Sequence, residues 1–226
     1  MRCDSLDQHE ALLDEFRQRD WHRSPGFVRD GILDPQRWGK RPRVLFLLKE
    51  AHDRSSVRRD WDLREFLREV GTKYRMWSAA ASWASVAQGR DGASMRPYLD
   101  LMSDSNELRE SLLSSAVVNL KKSNGVSRSE NDDLDLWVKR DGDLTRRQIE
   151  LIAPQIVICG STWERAARLW SAANLGNNFY KVGDLLVMDF WHPSVISGEV
   201  RAKHYCLFFQ WFRATCPSGL WNSHPS

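Results

Sequence analysis

Four polar clusters in this chain each stand directly behind a short apolar run. They are Lys49-Glu50-Ala51-His52-Asp53, Asn119 with Lys121 and Lys122, Gly160-Ser161-Thr162, and Trp191-His192-Pro193-Ser194. Between them they hold carboxylates, an amide, small hydroxyls, lysines and an imidazole. A carboxylate accepts a proton or steadies a cation, an imidazole exchanges protons near neutral pH, and an amide offers a donor and an acceptor on one group. Gathered in one crevice, these groups give acid/base, hydrogen-bonding and anion-handling capacity. Each also has a plainer role: Glu50 as a cap on a following helix, His192 as a structural hydrogen-bonder, the lysines as a solvated face.

The apolar runs are what would gather them. Residues 43–48, 115–120, 155–160 and 185–190 are continuous, short and rich in β-branched side chains, which predicts strands buried on both faces of a parallel sheet. Helical periodicity falls between them, over residues 9–18, 63–70, 74–87, 107–113, 145–152, 162–173 and 200–214. Alternation of this kind predicts right-handed crossovers and an α/β fold, a three-layer α/β/α sandwich with a central four-stranded parallel sheet. Ligands of such sheets bind beyond the carboxyl ends of the strands, where the four clusters lie. One domain is expected over residues 1–226, with a helical segment at 1–40 packed on it and a long Ser/Asn/Asp-rich loop at 123–143.

With 226 residues, 42% hydrophobic and 28% charged, the chain has the composition of a globular protein. Its formal net charge of +3 excludes polybasic-tail binding but leaves room for a local basic face toward an anionic partner. No apolar run approaches the roughly 18 residues a membrane helix needs, and the first residues lack a signal peptide's apolar stretch, so a cytoplasmic protein is expected. Cys3, Cys159, Cys206 and Cys216 are scattered without a C-x-x-C pair, so no metal site, iron–sulfur cluster or other cofactor is expected. The 11 Trp exceed what a compact core needs, which offers some of them for stacking on bases or lining a cleft.

The order of the strand-end motifs resembles the uracil-DNA glycosylase superfamily over roughly residues 28–212. Its members place a His-Pro-Ser loop after the last strand, where this chain has His192-Pro193-Ser194; a second such triplet, His224-Pro225-Ser226, shows that the motif is weak without the other three. The resemblance implies that Glu50 is the carboxylate facing the sugar, with Asp53 in reserve, and that His192 is the donor to the departing base. Asn119 would pair with the Watson–Crick edge of a flipped pyrimidine, in an orientation the sequence leaves open. Trp61 would be the stacking platform, and Ala51 and His52 would border the base. Lys49, Lys121, Lys122, Ser161, Pro193 and Ser194, with Arg54, Arg58, Arg59, Arg201 and Lys203, would meet DNA, and Val195 or Ile196 would fill the gap left by the flipped base.

Lys49, His52 and Asp53 stand where many relatives have a tight Gly/Pro loop, and no aromatic lies between Glu50 and Trp61 to wall off the base's 5-position. The expected substrate is therefore either uracil, in repair, or a bulky 5-modified cytosine of phage DNA, hydroxymethylated or glucosylated, in antiviral defence. The expected enzyme is a monofunctional DNA glycosylase, a monomer with DNA as its partner and no obligate protein partner. Two other classes remain open: a non-cutting modified-DNA binding module of the same fold, and a small-molecule hydrolase or nucleotide-binding protein. The second is disfavoured by the lack of a Gly-rich phosphate loop.

Overall fold

The structure, a computed structural model, describes residues 3–52, 59–90, 94–125, 130–194 and 197–216. In chain order the strands are β1 (Val28–Arg29), β2 (Gly31–Ile32), β3 (Val44–Glu50), β4 (Trp61–Asp62), β5 (Ser115–Lys121), β6 (Ile156–Gly160), β7 (Ala173–Gly176), β8 (Phe179–Val182) and β9 (Leu185–Phe190). The α-helices are α1 (Cys3–Gln18), α2 (Leu63–Val70), α3 (Arg75–Ala87), α4 (Tyr98–Ser103), α5 (Ser105–Leu113), α6 (Asn131–Ile152), α7 (Trp163–Ala166) and α8 (Gly198–Thr215). No helix among the described residues is long and apolar enough to cross a membrane.

The main sheet runs β2-β5-β3-β6-β9-β8-β7. Its centre, β5-β3-β6-β9, is parallel throughout, whereas β2, β8 and β7 join antiparallel. The four apolar runs are thus the four parallel strands, inside a sheet of seven rather than four. Alternate residues of β3 serve the two faces: Val44, Phe46 and Leu48 pack with α2, α3, α5 and α8, while Leu45 and Leu47 pack with α6. That two-sided burial makes the layers α/β/α, and each fully buried apolar side chain contributes about 1.5–3 kcal/mol.

Two segments depart from the sequence reading. Residues 131–143, expected within a loop, begin the 22-residue helix α6. Leu134, Trp137, Val138, Asp141 and Leu144 are buried at helical spacing there, so packing overrides a composition typical of loops. Residues 162–173, expected as one helix, form only α7 and a 3-10 turn, and Trp170 is already extended. Trp163 instead stacks on Tyr180 at 4.0 Å, because the chain turns to build the β7–β8 hairpin. Asn177 and Asn178 both have positive φ in its two-residue turn, a geometry that asparagine tolerates and the Gly-Asn-Asn sequence signals.

Edge strand β2 follows a kink at Asp30, and Gly31 has φ +135°. A Cβ there would lie 2.5 Å from the His9 ring, so glycine is required both by backbone and by space. At the other end of α6, Ala153 closes the helix in the left-handed region at φ +50°, which glycine occupies at lower cost. Ala153→Gly should stabilise the protein by about 0.5–1 kcal/mol, read as a higher urea midpoint with unchanged slope; an equal or lower midpoint contradicts the capping argument.

Candidate functional site at the carboxyl ends of the parallel strands

Because β3, β5, β6 and β9 are parallel, Glu50, Lys121, Gly160 and Phe190 all end strands at one edge of the sheet. Glu50 pairs in register with Lys121, and Leu48 with Asn119. The Glu50 side chain is 3% exposed. Lys121 Nζ lies 3.0 Å from its Oε2 and 2.6 Å from Asp133 Oδ2 on α6. Lys121 is the partner the described residues give the Glu50 carboxylate, and its contact is an ion pair. Burial works against the Lys121 charge, but Asp133 and Glu50 outweigh it and raise its pKa above the ordinary value. Lys121 is thus spent on two carboxylates instead of facing solvent, which departs from the expected phosphate contact.

Gly125 closes over Glu50. Its N–H donates to the Ala51 carbonyl at 2.7 Å, and a Cβ on it would collide with Glu50 Cδ. The preceding residue, Asn124, accepts from the Trp61 indole at 2.5 Å, and its N–H donates to the Gly26 carbonyl at 2.7 Å. Trp61 is half-buried and meets Phe66 edge-on at 5.9 Å. Trp61, Asn124, Gly125, Ala51 and Glu50 are therefore linked in one continuous wall. Ala51 is buried, while His52 and Arg59 are exposed. Ser123, also in this wall, has a buried hydroxyl without a partner among the described residues.

His192 is held by its own loop. Its backbone N–H donates to Ser161 Oγ at 2.9 Å, and Ser161 adopts φ +54° while its N–H donates to the Phe190 carbonyl at 2.7 Å. The Ser194 backbone N–H donates to His192 Nδ1 at 3.2 Å, and Ser194 Oγ lies 2.7 Å from the same nitrogen. A backbone N–H can only donate, so Nδ1 is an acceptor and the neutral ring carries its proton on Nε2. Burial, helped by the Lys49 charge, lowers the His192 pKa to about 4. Trp191 stacks on His204 at 4.3 Å and on Trp211 at 5.7 Å, anchoring the loop to α8. Pro193 is buried and Ser194 exposed.

Asn119 and Lys122 meet a residue that the sequence reading passed over. Asp30, fully buried, accepts from the Asn119 backbone N–H at 2.7 Å and from Asn119 Nδ2 at 3.1 Å, both on Oδ2. Lys122 Nζ sits 2.7 and 2.9 Å from its two oxygens, and Gln148 Nε2 donates to Oδ1 at 2.9 Å. Gln148 Nε2 also reaches His9 Nε2 at 3.1 Å. Lys122 was expected to touch DNA phosphate; with 0% side-chain exposure it is an internal counter-ion instead. Burial draws its pKa below the ordinary value even with Asp30 pulling the other way. A charged residue inside Val28-Arg29-Asp30-Gly31-Ile32, an otherwise strand-like run, was the signal available for it.

Asp53, Arg54, Arg58, Val195 and Ile196 lie outside the described residues. Arg201 and Lys203 stand on α8, on the chain that leaves the His192 loop. Compared with known proteins, the chain matches no family model and no curated protein.

Two measurements check this geometry. Asp30→Ala should destabilise the fold by about 3–5 kcal/mol by stranding the Lys122 charge, with much of that recovered in Asp30→Asn combined with Lys122→Met; equal losses in both would show that the ion pair is not the cause. For His192, long-range 15N NMR at pH 7 should show a proton on Nε2, none on Nδ1, and no titration between pH 5.5 and 8. Between about pH 4 and the ordinary imidazole value near 6.5 the unfolded chain binds this proton and the native chain does not. His192 therefore subtracts stability as pH falls through that window and has no such effect above it. A titration midpoint near 6.5 would refute the burial argument.

Proposed function

We propose that the chain is a DNA glycosylase that hydrolyses the N-glycosidic bond of a flipped pyrimidine and leaves an abasic site. The observation that carries this reading is the state of His192: neutral, with Nδ1 occupied by Ser194 and its remaining proton on Nε2. Breaking the bond between C1′ and the base nitrogen sends the electron pair to the base and leaves an oxocarbenium-like sugar. A neutral donor suits the developing anion on a base oxygen, since it stabilises charge without a costly prior protonation. A buried acceptor-only carboxylate suits the sugar: Glu50 offsets positive charge and takes the proton of the attacking water as its oxygen bonds to C1′.

Glu50 also speaks against a module that only binds. Burying a carboxylate costs stability even with an ion-pair partner such as Lys121, and catalytic sites are where such arrangements are maintained. Under this reading Lys121 and Asp133 position Glu50, Gly125 leaves it space, and Trp61 lies in the wall beside it as the candidate stacking platform. Ser161 shapes the His192 loop, and Lys49 adds to the burial that keeps the imidazole neutral while offering charge to a phosphate. Uracil and 5-modified cytosine both remain within the reading, as do repair and antiviral defence.

The test is an alkali-cleavage assay on uracil-containing duplexes and, in parallel, on phage DNA bearing hydroxymethylated or glucosylated cytosine. Glu50→Gln and His192→Ala should each lower excision at least about 100-fold with unchanged folding. Full activity in both variants, or tight DNA binding with no abasic product from either DNA, would overturn the proposal.

A further inference from the structure

We infer that the cavity on the outer side of the His192 loop is a binding site for a guanidinium group, free or on an arginine side chain, held by tryptophan faces and by Asp189. The inference goes beyond the glycosylase reading and does not depend on it.

The cavity measures about 350 Å3, within the range of small-molecule sites. Trp163, Trp191, Trp211, Asp189, Glu164 and Asn178 wall it, and it shares Ser161 with the candidate site. Strand alternation explains the carboxylate. Leu185 and Val187 of β9 pack on the sheet face that Trp163 and Ala166 of α7 cover, and Asp189 follows them at the same period of two. Register sets Asp189 beside Cys159 of β6, and its backbone N–H donates to the Asn178 carbonyl of the β7–β8 turn at 2.8 Å. The indoles are fixed by their own neighbours: Trp163 gives one face to Tyr180, and Trp191 and Trp211 stack on each other.

Charge selects the occupant. Asp189 and Glu164 have no ion-pair partner among the described residues, and no lysine or arginine lines the cavity. Asp189 is half-buried, and burial moves its carboxyl above the ordinary value with no cation to pull it back. Such a carboxylate costs stability while it stays unpaired. An anion would be repelled here, and an apolar ligand would leave the carboxylates as they are, so a cation is the complement. A compact ammonium is strongly hydrated and gains less from an indole face. A guanidinium is flat, always charged and weakly hydrated; it lies on an aromatic ring while two parallel N–H groups meet both oxygens of one carboxylate. Asp189 is the anchor in this arrangement, and Glu164 and Asn178, both exposed, accept from the donors that remain.

The test follows the indole N–H signals of the 15N-labelled protein, assigned by their loss in Trp163→Phe, Trp191→Phe and Trp211→Phe, during titration with ethylguanidinium chloride at constant ionic strength. Saturable shifts confined to these three signals are expected. N-ethylurea, planar but uncharged, and ethylammonium, charged but not planar, should each bind at least about tenfold more weakly, as should ethylguanidinium to Asp189→Asn. Tighter binding of N-acetyl-arginine amide than of ethylguanidinium assigns the cavity to an arginine side chain, and equal or weaker binding assigns it to a free guanidine. Shifts that do not saturate, equal binding of the urea, undiminished binding by Asp189→Asn, or binding of guanosine in place of guanidinium overturns the inference. Without ligand, Asp189→Asn should fold with an equal or higher urea midpoint, since it removes an unpaired charge. A lower midpoint gives Asp189 a structural role and overturns the inference as well.

Discussion

The buried ion pair between Asp30 and Lys122 is the constraint around which the candidate site is organised. Each ion taken out of water costs several kcal/mol, and attraction repays this only when the geometry is good and the remaining valences are met. Here they are met: Lys122 spans both carboxylate oxygens, and the backbone and side chain of Asn119 and the amide of Gln148 complete the shell. Those partners come from β5 and α6, and the kink bearing Asp30 is packed on His9 of α1. One carboxylate therefore fastens the N-terminal segment to the sheet. It also lets a single stretch of chain serve two sheets, with β1 pairing β4 and β2 pairing β5.

From that fixed point the site extends along the strand ends. Asn119 and Lys121 sit two residues apart on β5, one held by Asp30 and the other by Glu50 and Asp133. The same helix, α6, supplies Gln148 to the Asp30 cluster and Asp133 to the Glu50 cluster, so its docking sets both. On the far side of β6 the His192 loop is built separately, from the left-handed Ser161, the cap by Ser194 and the aromatic stack on α8. Burial acts on the two key groups in different ways. It leaves His192 uncharged, because an imidazole can shed its proton, whereas at Glu50 the neighbouring ammonium of Lys121 compensates a carboxylate.

Much of this was legible in the chain. The four apolar runs became the four parallel strands, since a run too short for a helix and apolar at most of its residues is stable only between two covered faces. Glu50, Asn119, Ser161 and His192 fell at their carboxyl ends for the same reason: where apolar pattern stops, the strand leaves the core. The Asn177-Asn178 turn was written in the sequence but masked by the helical spacing of the tryptophans before it. The polar composition of residues 131–143 concealed a helix whose buried positions only its packing partners make apparent.

What the sequence by itself determined was the four central strands, their common direction and the chemical types waiting at their ends, because burial and periodicity act locally along the chain. Which lysine is spent inside, which end of the Asn119 amide meets Asp30 and which nitrogen of His192 keeps its proton were decided by tertiary structure alone. Lys121 and Lys122 are adjacent and identical in type, yet one is tied to the Glu50 wall and the other is sealed against Asp30. Charge and hydrogen bonding depend on distance in space, and Asp30 lies 92 residues from the lysine that neutralises it.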